Sequence, residues 1–201
     1  MKHILHLMSS IQGNQSYSIK LGNAIVEKIQ KKYPNSMVEE LNLAENEIPH
    51  LNPDSLRNLF SPPNLLNEEQ KESIRFSDDL LKKLFTADII VIGAPLYNFT
   101  IPSTLKAWID HITRPGVTFG YSEDGRPIGM VTGKKVYVAM TSGGVYSEGP
   151  GKSNDFVVPY LQAFLGFLGM SDLTAIRAEG LKVAGLKETA MENAIDSIVI
   201  D

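Results

Sequence analysis

The stretch ADIIVIGAPLYNFTIPSTL, residues 87–105, predicts a buried strand, a turn and the start of a helix. Residues 89–92 form an unbroken apolar run, which is typical of a central parallel strand covered on both faces. The run ends at residues 93–95, and a helix is predicted to begin near Pro102. Doubly wound α/β proteins bind their ligands in loops of this kind, beyond the carboxyl end of a strand. The aromatic side chains in residues 97–99 suit a flat, conjugated ligand.

The composition is typical of an ordinary globular protein. The chain has 201 residues, 43% hydrophobic and 21% charged, and we expect one domain over residues 1–201. The absence of cysteine excludes disulfides and thiolate metal sites and is compatible with a cytoplasmic location. A net charge of −4 argues against nucleic acid as a partner. The sequence predicts neither a membrane span of roughly 20 apolar residues nor a signal peptide, so no membrane contact is expected.

Strands and helices alternate along the sequence. Apolar or alternating runs predict strands over residues 2–8, 37–43, 89–92, 135–141 and 173–178. Helical spacing of apolar residues predicts helices over residues 18–33, 67–85, 102–112, 155–168 and 184–200. The proline-rich residues 48–64 are predicted to form a surface excursion with one short helix, and residues 114–132 an insertion with a hairpin turn.

This alternation predicts the flavodoxin-like α/β fold, a doubly wound five-stranded parallel sheet in the order 2-1-3-4-5. The helix from 155 to 168 is apolar on nearly all sides, so it should be buried or shared with a partner. In this strand order the ligand lies where the first and third strands separate. We therefore expect the loops at residues 9–18, 95–99 and 141–144 to meet at the carboxyl edge of the sheet.

The first of these loops is suited to a phosphate group. Residues 9–18 are rich in hydroxyl and amide side chains and lead into a predicted helix start at Ser16-Tyr17-Ser18. Free N–H groups and the helix dipole favour an anion there, and the loop contains no Lys or Arg, which indicates neutral donors. Helix capping alone would explain the same serines, so this loop by itself leaves both explanations open.

The second and third loops are suited to a flavin ring. Asn98 offers one acceptor and two donors, which match the carbonyl and N–H edge of that ring, and Tyr97 and Phe99 offer apolar faces. Gly143-Gly144 allows the backbone to approach a planar ligand. Each feature also has a plainer explanation, a core aromatic residue or a tight turn. Three such loops at one edge together favour a bound flavin nucleotide.

Six motifs extend from one end of the chain to the other. They are Ser9-Ser10, Ser16-Tyr17-Ser18, residues 94–99 (APLYNF), residues 116–119 (GVTF), Gly143-Gly144, and the run from 159 to 169 (PYLQAFLGFLG). Together they resemble the bacterial FMN-dependent NADH:quinone oxidoreductase and azoreductase family, and the similarity includes the tail at residues 194–198. The PLYNF and GVTF runs are the specific ones.

The resemblance implies a homodimeric flavoenzyme with one FMN per subunit. NADH would reduce the FMN, and after the nicotinamide leaves, a quinone or azo compound would take its place and accept two electrons. The cofactor carries the redox chemistry, so no catalytic side chain is expected. The implied cofactor-binding residues are Ser10, Ser16, Tyr17, Ser18, Pro95, Leu96, Tyr97, Asn98, Phe99, Thr141, Ser142, Gly143 and Gly144. Tyr121, together with Phe167 of the second subunit, would form walls of the substrate pocket.

One position departs from the family pattern. The family often carries an arginine in the loop after the fourth strand, in a Ser-Arg-Gly-Gly run, where this chain has Thr141-Ser142-Gly143-Gly144. A substrate contact from that position is therefore not implied here. The four histidines are scattered without ligand spacing, so no metal site is expected.

Two other functions remain open from the sequence. One is a flavodoxin-type electron carrier, and the other is an NAD(P)H:FMN reductase that releases reduced flavin. A net charge of −4 is small for a carrier that docks by electrostatic steering, and the insertion at residues 114–132 suits a lid over a small substrate. Both features favour the reductase of quinones and azo compounds.

Overall fold

The computed structural model describes residues 1–46 and 48–201 of the chain. The strands in these residues are β1 (His3–Met8), β2 (Met37–Asn42), β3 (Ile89–Pro95), β4 (Phe119–Tyr121), β5 (Pro127–Gly129), β6 (Lys135–Thr141) and β7 (Asp172–Ala178). The α-helices are α1 (Tyr17–Lys32), α2 (Pro53–Leu59), α3 (Glu68–Thr86), α4 (Ser103–Ile112), α5 (Val158–Phe167) and α6 (Ala190–Asp196). Short 3-10 helices cover Gly13–Gln15, Pro63–Leu65 and Gly149–Asn154.

Five parallel strands form the central sheet, in the order β2-β1-β3-β6-β7. This confirms the predicted order 2-1-3-4-5, with β6 and β7 as its fourth and fifth strands. The insertion between β3 and β6 contains the antiparallel hairpin of β4 and β5. Within the described ranges, no helix has both the length and the apolar character needed to cross a membrane.

The two faces of the sheet belong to two different hydrophobic cores. Ile90 and Ile92 of β3 pack in the core that α3, α4 and α5 cover, whereas Ile89 and Val91 pack in the core beneath α1 and α6. Successive side chains of a strand point to opposite faces, so a strand buried on both sides needs an unbroken apolar sequence. The apolar run that predicted a central strand is explained by this double burial.

The last helix is shorter than the sequence predicted. Instead of covering residues 184–200, α6 begins at Ala190 and ends at Asp196. The preceding segment bonds back to the loop after β6, since the Gly180 and Lys182 N–H groups donate to the carbonyls of Gly144 and Gly143. These contacts hold the backbone in turns, and Gly185 has a φ of +82°, so a helix cannot start there.

Helix α5 also begins later than predicted, at Val158 instead of residue 155. The Asp155 carboxylate accepts hydrogen bonds from the N–H groups of Val157 and Val158. Three aliphatic side chains of α5 are buried, while its aromatic residues Tyr160, Phe164 and Phe167 are only half-buried. The helix is therefore incompletely covered within one chain.

His6 is a fully buried histidine in the central strand β1. Neither of its ring nitrogens has a hydrogen-bond partner among the described residues. The ring lies directly under Gly22 of α1, where an added Cβ would come within 2.5 Å of His6 Nε2. Burial lowers the pKa of His6 from 6.5 to about 4, because a charged imidazole would lose its hydration there.

We expect His6→Leu to reduce the loss of stability at acidic pH. The unfolded chain takes up a proton on His6 near pH 6.5, whereas the folded protein resists protonation down to about pH 4. The free energy of unfolding therefore falls as the pH falls through this window. Each pKa unit corresponds to about 1.4 kcal/mol, so His6 accounts for up to about 3 kcal/mol of the loss.

Urea unfolding measured between about pH 7 and pH 4 tests this expectation. His50→Leu, which changes an exposed histidine, is the matched control and should follow the wild type. A His6→Leu curve that runs parallel to the wild-type curve would contradict the assignment.

Candidate cofactor site

A cavity of about 670 Å³ opens at the carboxyl edge of the sheet. Its volume lies within the range of about 300–1,000 Å³ that is usual for small-molecule sites. Loops after β1, β3, β6 and β7 contribute to its wall. The lining residues are Gln12, Gln15, Ser16, Tyr17, Lys20, Pro95, Leu96, Tyr97, Thr141, Ser142, Gly143, Leu181 and Lys182.

The start of α1 leaves backbone donors at one end of the cavity. Ser16 is the N-cap, and its hydroxyl accepts from the Ile19 N–H at 3.4 Å and pairs with the Ser18 hydroxyl at 3.0 Å. The Ser16 carbonyl accepts from the Lys20 N–H. The N–H groups of Tyr17 and Ser18 belong to the first turn, which has no intrahelical acceptors. They are placed to bind an anion.

Buried hydroxyl groups connect the first loop to β3 and to the loop that follows it. The Ser9 hydroxyl donates to the Gly93 carbonyl at 2.6 Å. The Ser10 hydroxyl lies 3.1 Å from the Tyr97 hydroxyl, so the two loops share a hydrogen bond beneath the cavity. This bond fixes the direction of the Tyr97 ring.

The loop after β3 is a tight turn with an uncommon backbone. The N–H and carbonyl of Tyr97 pair with those of Thr100 at 2.9 and 3.1 Å, and Asn98 and Phe99 between them have φ values of +50° and +70°. Two consecutive positive φ values define a type I′ turn. Asparagine tolerates this conformation, but a bulky residue such as Phe99 is strained in it, and strain of this kind is concentrated at functional sites.

The loop after β6 is held by the segment after β7. Besides the bonds to Gly143 and Gly144, the Ser142 N–H donates to Ala178 O at 3.1 Å and the Leu181 N–H to Ser142 O at 3.2 Å. The Ser142 hydroxyl donates to Gly144 O at 2.8 Å. This ladder continues the pairing of β6 and β7 beyond the sheet and fixes one wall of the cavity.

A charged network supports that wall from behind. The Glu179 carboxylate accepts from the N–H groups of Tyr146 and Ser147 at 3.0 and 3.2 Å. Arg177 pairs with Glu179 and also with Asp155, whose carboxylate accepts from the N–H groups at the start of α5. The position of the loop after β6 is thereby coupled to the start of α5.

The structure brings most of the predicted cofactor residues to this one cavity. Those that line it are Ser16, Tyr17, Pro95, Leu96, Tyr97, Thr141, Ser142 and Gly143. Ser10 and Ser18 are buried and contact lining residues through their hydroxyl groups. Asn98 lies on an adjoining cavity that shares Tyr97, whereas Phe99 and Gly144 do not line the main cavity.

The two predicted substrate-pocket residues lie together, but away from the cavity wall. The rings of Tyr121 and Phe167 both contact Phe119, with centroids 5.9 and 4.8 Å from its ring. Tyr121 is exposed and Phe167 is half-buried. Neither residue is among those that line the cavity of its own chain.

Five lining residues were not among the predicted ones. They are Gln12, Gln15, Lys20, Leu181 and Lys182. The sequence contained a signal for the last two, because the loop after a fifth parallel strand must also begin at the carboxyl edge of the sheet. Its contact with the loop after β6 depends on backbone bonds between distant segments, which no local pattern reveals.

The sequence has clear relatives among known proteins. Residues 2–199 match the protein family described as "Flavodoxin-like fold". A curated relative from Herminiimonas arsenicoxydans, named "FMN-dependent NADH:quinone oxidoreductase", is 45% identical over 90% of this chain and 88% of its own. A relative of the same name from Rhizobium johnstonii is 43% identical over 98% of this chain and 94% of its own.

Solved structures lead to the same group of proteins. The azoreductase from Bacillus anthracis str. Sterne superposes with a TM-score of 0.86 at 30% identity over 98% of each chain. An FMN-dependent NADH-azoreductase from Bacillus anthracis str. Ames Ancestor, solved in complex with FMN, gives a TM-score of 0.84 at 28% identity over 98% of this chain and 95% of its own. The chain belongs to the flavodoxin-like fold family and, within it, to the group of FMN-dependent NADH:quinone oxidoreductases and azoreductases. The resemblance inferred from the motifs is confirmed.

We expect Asn98→Ala to destabilise the protein by about 1 kcal/mol more than Asn98→Gly. Both variants lose the amide side chain, but only alanine brings a Cβ into the left-handed conformation that Asn98 adopts. Urea unfolding of the two variants under the same conditions measures the difference. Equal destabilisation would mean that the side chain of Asn98, and not its backbone conformation, stabilises the turn.

Proposed function

We propose that this protein is an FMN-dependent NADH:quinone oxidoreductase that also reduces azo compounds. The observation that carries the proposal is the convergence of the loops after β1, β3 and β6 on one cavity. The loop after β1 was predicted to suit a phosphate, and the other two to suit a flavin ring. Relatives up to 45% identical bear the name of this activity, over nearly the whole chain.

The lining residues have the chemistry that FMN needs. The first-turn N–H groups of α1 and the Ser16 hydroxyl are suited to the phosphate. Pro95, Leu96 and Tyr97 offer apolar surface to the ring, and Gly143 adds no side chain of its own to the wall. Hydrogen-bonding groups thus come from the start of α1, and apolar surface comes from the loop after β3.

FMN, when bound, supplies the acceptance and donation of two electrons. The residues of the chain bind it and fix its orientation. Tyr97 is held by Ser10 beneath the cavity, and the loop after β6 is held by the segment after β7 and by Glu179. Because both walls are fixed before binding, little ordering is needed when the cofactor and then a flat substrate enter.

We propose further that the protein acts as a homodimer in which Phe167 of one subunit borders the substrate site of the other, and that Tyr121 borders the same site because it lies beside Phe167 against Phe119. Tyr160 and Phe164 of α5 stack with a centroid distance of 5.9 Å and remain half-buried, and Phe156 before α5 is 54% exposed. A second copy of the chain would cover these aromatic groups. A cytoplasmic location is also proposed, and the lack of cysteine supports it.

We expect the purified protein to retain FMN through gel filtration and to oxidise NADH when menadione is added. We expect retention because the groups that would contact FMN are already in place. We expect turnover because the cavity is open to solvent, so that a substrate can reach the bound cofactor. Absorbance spectra before and after desalting, and the rate of NADH consumption, are the measurements.

Other outcomes of the same assay would favour the alternative functions. FMN retention without NADH oxidation would point to an electron carrier of the flavodoxin type. Loss of the flavin after each reduction would point to an NAD(P)H:FMN reductase. A protein that stays colourless after incubation with excess FMN would refute the proposal.

We expect Phe167→Ala to lower kcat/KM for menadione by roughly tenfold while the FMN content stays unchanged, because an aromatic wall of the substrate site is lost. Phe167→Leu, which keeps apolar bulk against Phe119, is the control and should lose less. Light scattering of both variants verifies the mass of two chains. Lost flavin with normal turnover per bound flavin would place Phe167 at the cofactor instead.

A further inference from the structure

The charged side chains that line the cavity are all of one sign. Lys20 and Lys182 are the charged residues among the described lining residues, and no carboxylate accompanies them. In the part of the chain that the structure describes, neither lysine forms an ion pair. The protein as a whole has a net charge of −4, so this cavity is a local exception that favours an anionic ligand.

The two lysines lie beside different loops of the cavity. Lys20 is in the first helical turns of α1, with its ammonium 5.6 Å from the centre of the Tyr17 ring. A cation at that end of a helix is unfavourable unless an anion is close, and the first turn of α1 contains no acidic residue. Lys20 therefore belongs to the end of the cavity that suits the phosphate.

Lys182 lies beside the loop after β6. Its N–H donates to the Gly143 carbonyl at 2.9 Å, which fixes its backbone. Its side chain lies over Gly143, since a Cβ built on Gly143 would come within 3.1 Å of Lys182 Cδ and 3.3 Å of its Cγ. The aliphatic part of the Lys182 side chain thus lies against the wall along which the flavin ring is proposed to lie, and among the described residues its ammonium forms no ion pair.

A cation beside the flavin ring would affect the redox reaction. NADH becomes NAD⁺ by giving up a hydride, which is one proton with two electrons, so the cofactor gains one negative charge when it is reduced. A positive group beside the ring stabilises this added charge more than it stabilises the oxidised ring. A cation near the phosphate lies farther from the added charge. It therefore strengthens the binding of the oxidised and the reduced cofactor to a similar degree.

We propose that Lys182 stabilises the reduced state of the flavin, whereas Lys20 serves the phosphate. The inference rests on the proposed function, because it takes FMN as the ligand of this cavity. It assigns the two lysines to different parts of one cofactor.

The experiment compares Lys182→Met with Lys20→Met as the matched control. The readouts are the two-electron midpoint potential of the bound flavin and the dissociation constants of FMN and of riboflavin, which lacks the phosphate. Lys182→Met should lower the affinity for reduced relative to oxidised flavin about tenfold, which is a drop of about 30 mV in the potential, and leave the ratio of FMN to riboflavin affinity unchanged. Lys182→Arg should restore most of the potential.

Lys20→Met should give the reverse pattern. The ratio of FMN to riboflavin affinity should fall about tenfold, while the potential stays at the wild-type value. Thermal unfolding of the flavin-free proteins verifies that both variants fold, as expected for exposed lysines without ion-pair partners.

Two results would overturn the inference: an unchanged potential in FMN-loaded Lys182→Met, and a fall in its ratio of FMN to riboflavin affinity. If the unchanged potential is accompanied by a raised KM for NADH, Lys182 binds the phosphates of the nucleotide substrate instead. Failure of the wild type to bind FMN would refute the proposed function as well, so the two failures can be distinguished.

Discussion

The parallel hydrogen bonding of β1, β3, β6 and β7 is the constraint on which the site depends. Parallel strands end at the same edge of the sheet, so the loops that follow them must meet there. The pairing also continues past the strands, since the Leu96 N–H donates to Thr141 O at 2.8 Å and the Ser142 N–H to Ala178 O at 3.1 Å. The cavity wall is therefore an extension of the sheet rather than a set of independent loops.

Rigidity at the cavity comes from bonds between loops. The Ser10 and Tyr97 hydroxyls join the loops after β1 and β3, and Glu179 joins the segments after β6 and β7. Phe156 N–H donates to Phe99 O at 3.0 Å, which ties the strained turn to the segment before α5. A positive φ at a phenylalanine is unfavourable by itself, and it persists because the surrounding bonds fix the backbone.

Charged side chains are accommodated at the site but not in the core. The core contains the imidazole of His6, whose pKa is lowered by burial and whose ring nitrogens have no hydrogen-bond partner among the described residues. The cavity instead contains two charged lysines that remain accessible to solvent. Charge is tolerated at the edge of the sheet, where water and an anionic ligand can approach it. It is avoided inside the sheet, where neither can approach.

The sequence by itself determined the strand order, the family, and which loops meet at the carboxyl edge of the sheet. It could do so because burial on two faces demands unbroken apolar runs such as that of β3, and because PLYNF is a contiguous motif. Only the tertiary structure decided where α6 begins and that Lys182 lies at the cavity. Both depend on hydrogen bonds between residues 142–144 and 178–182, which are far apart in sequence, and local periodicity contains no information about such contacts.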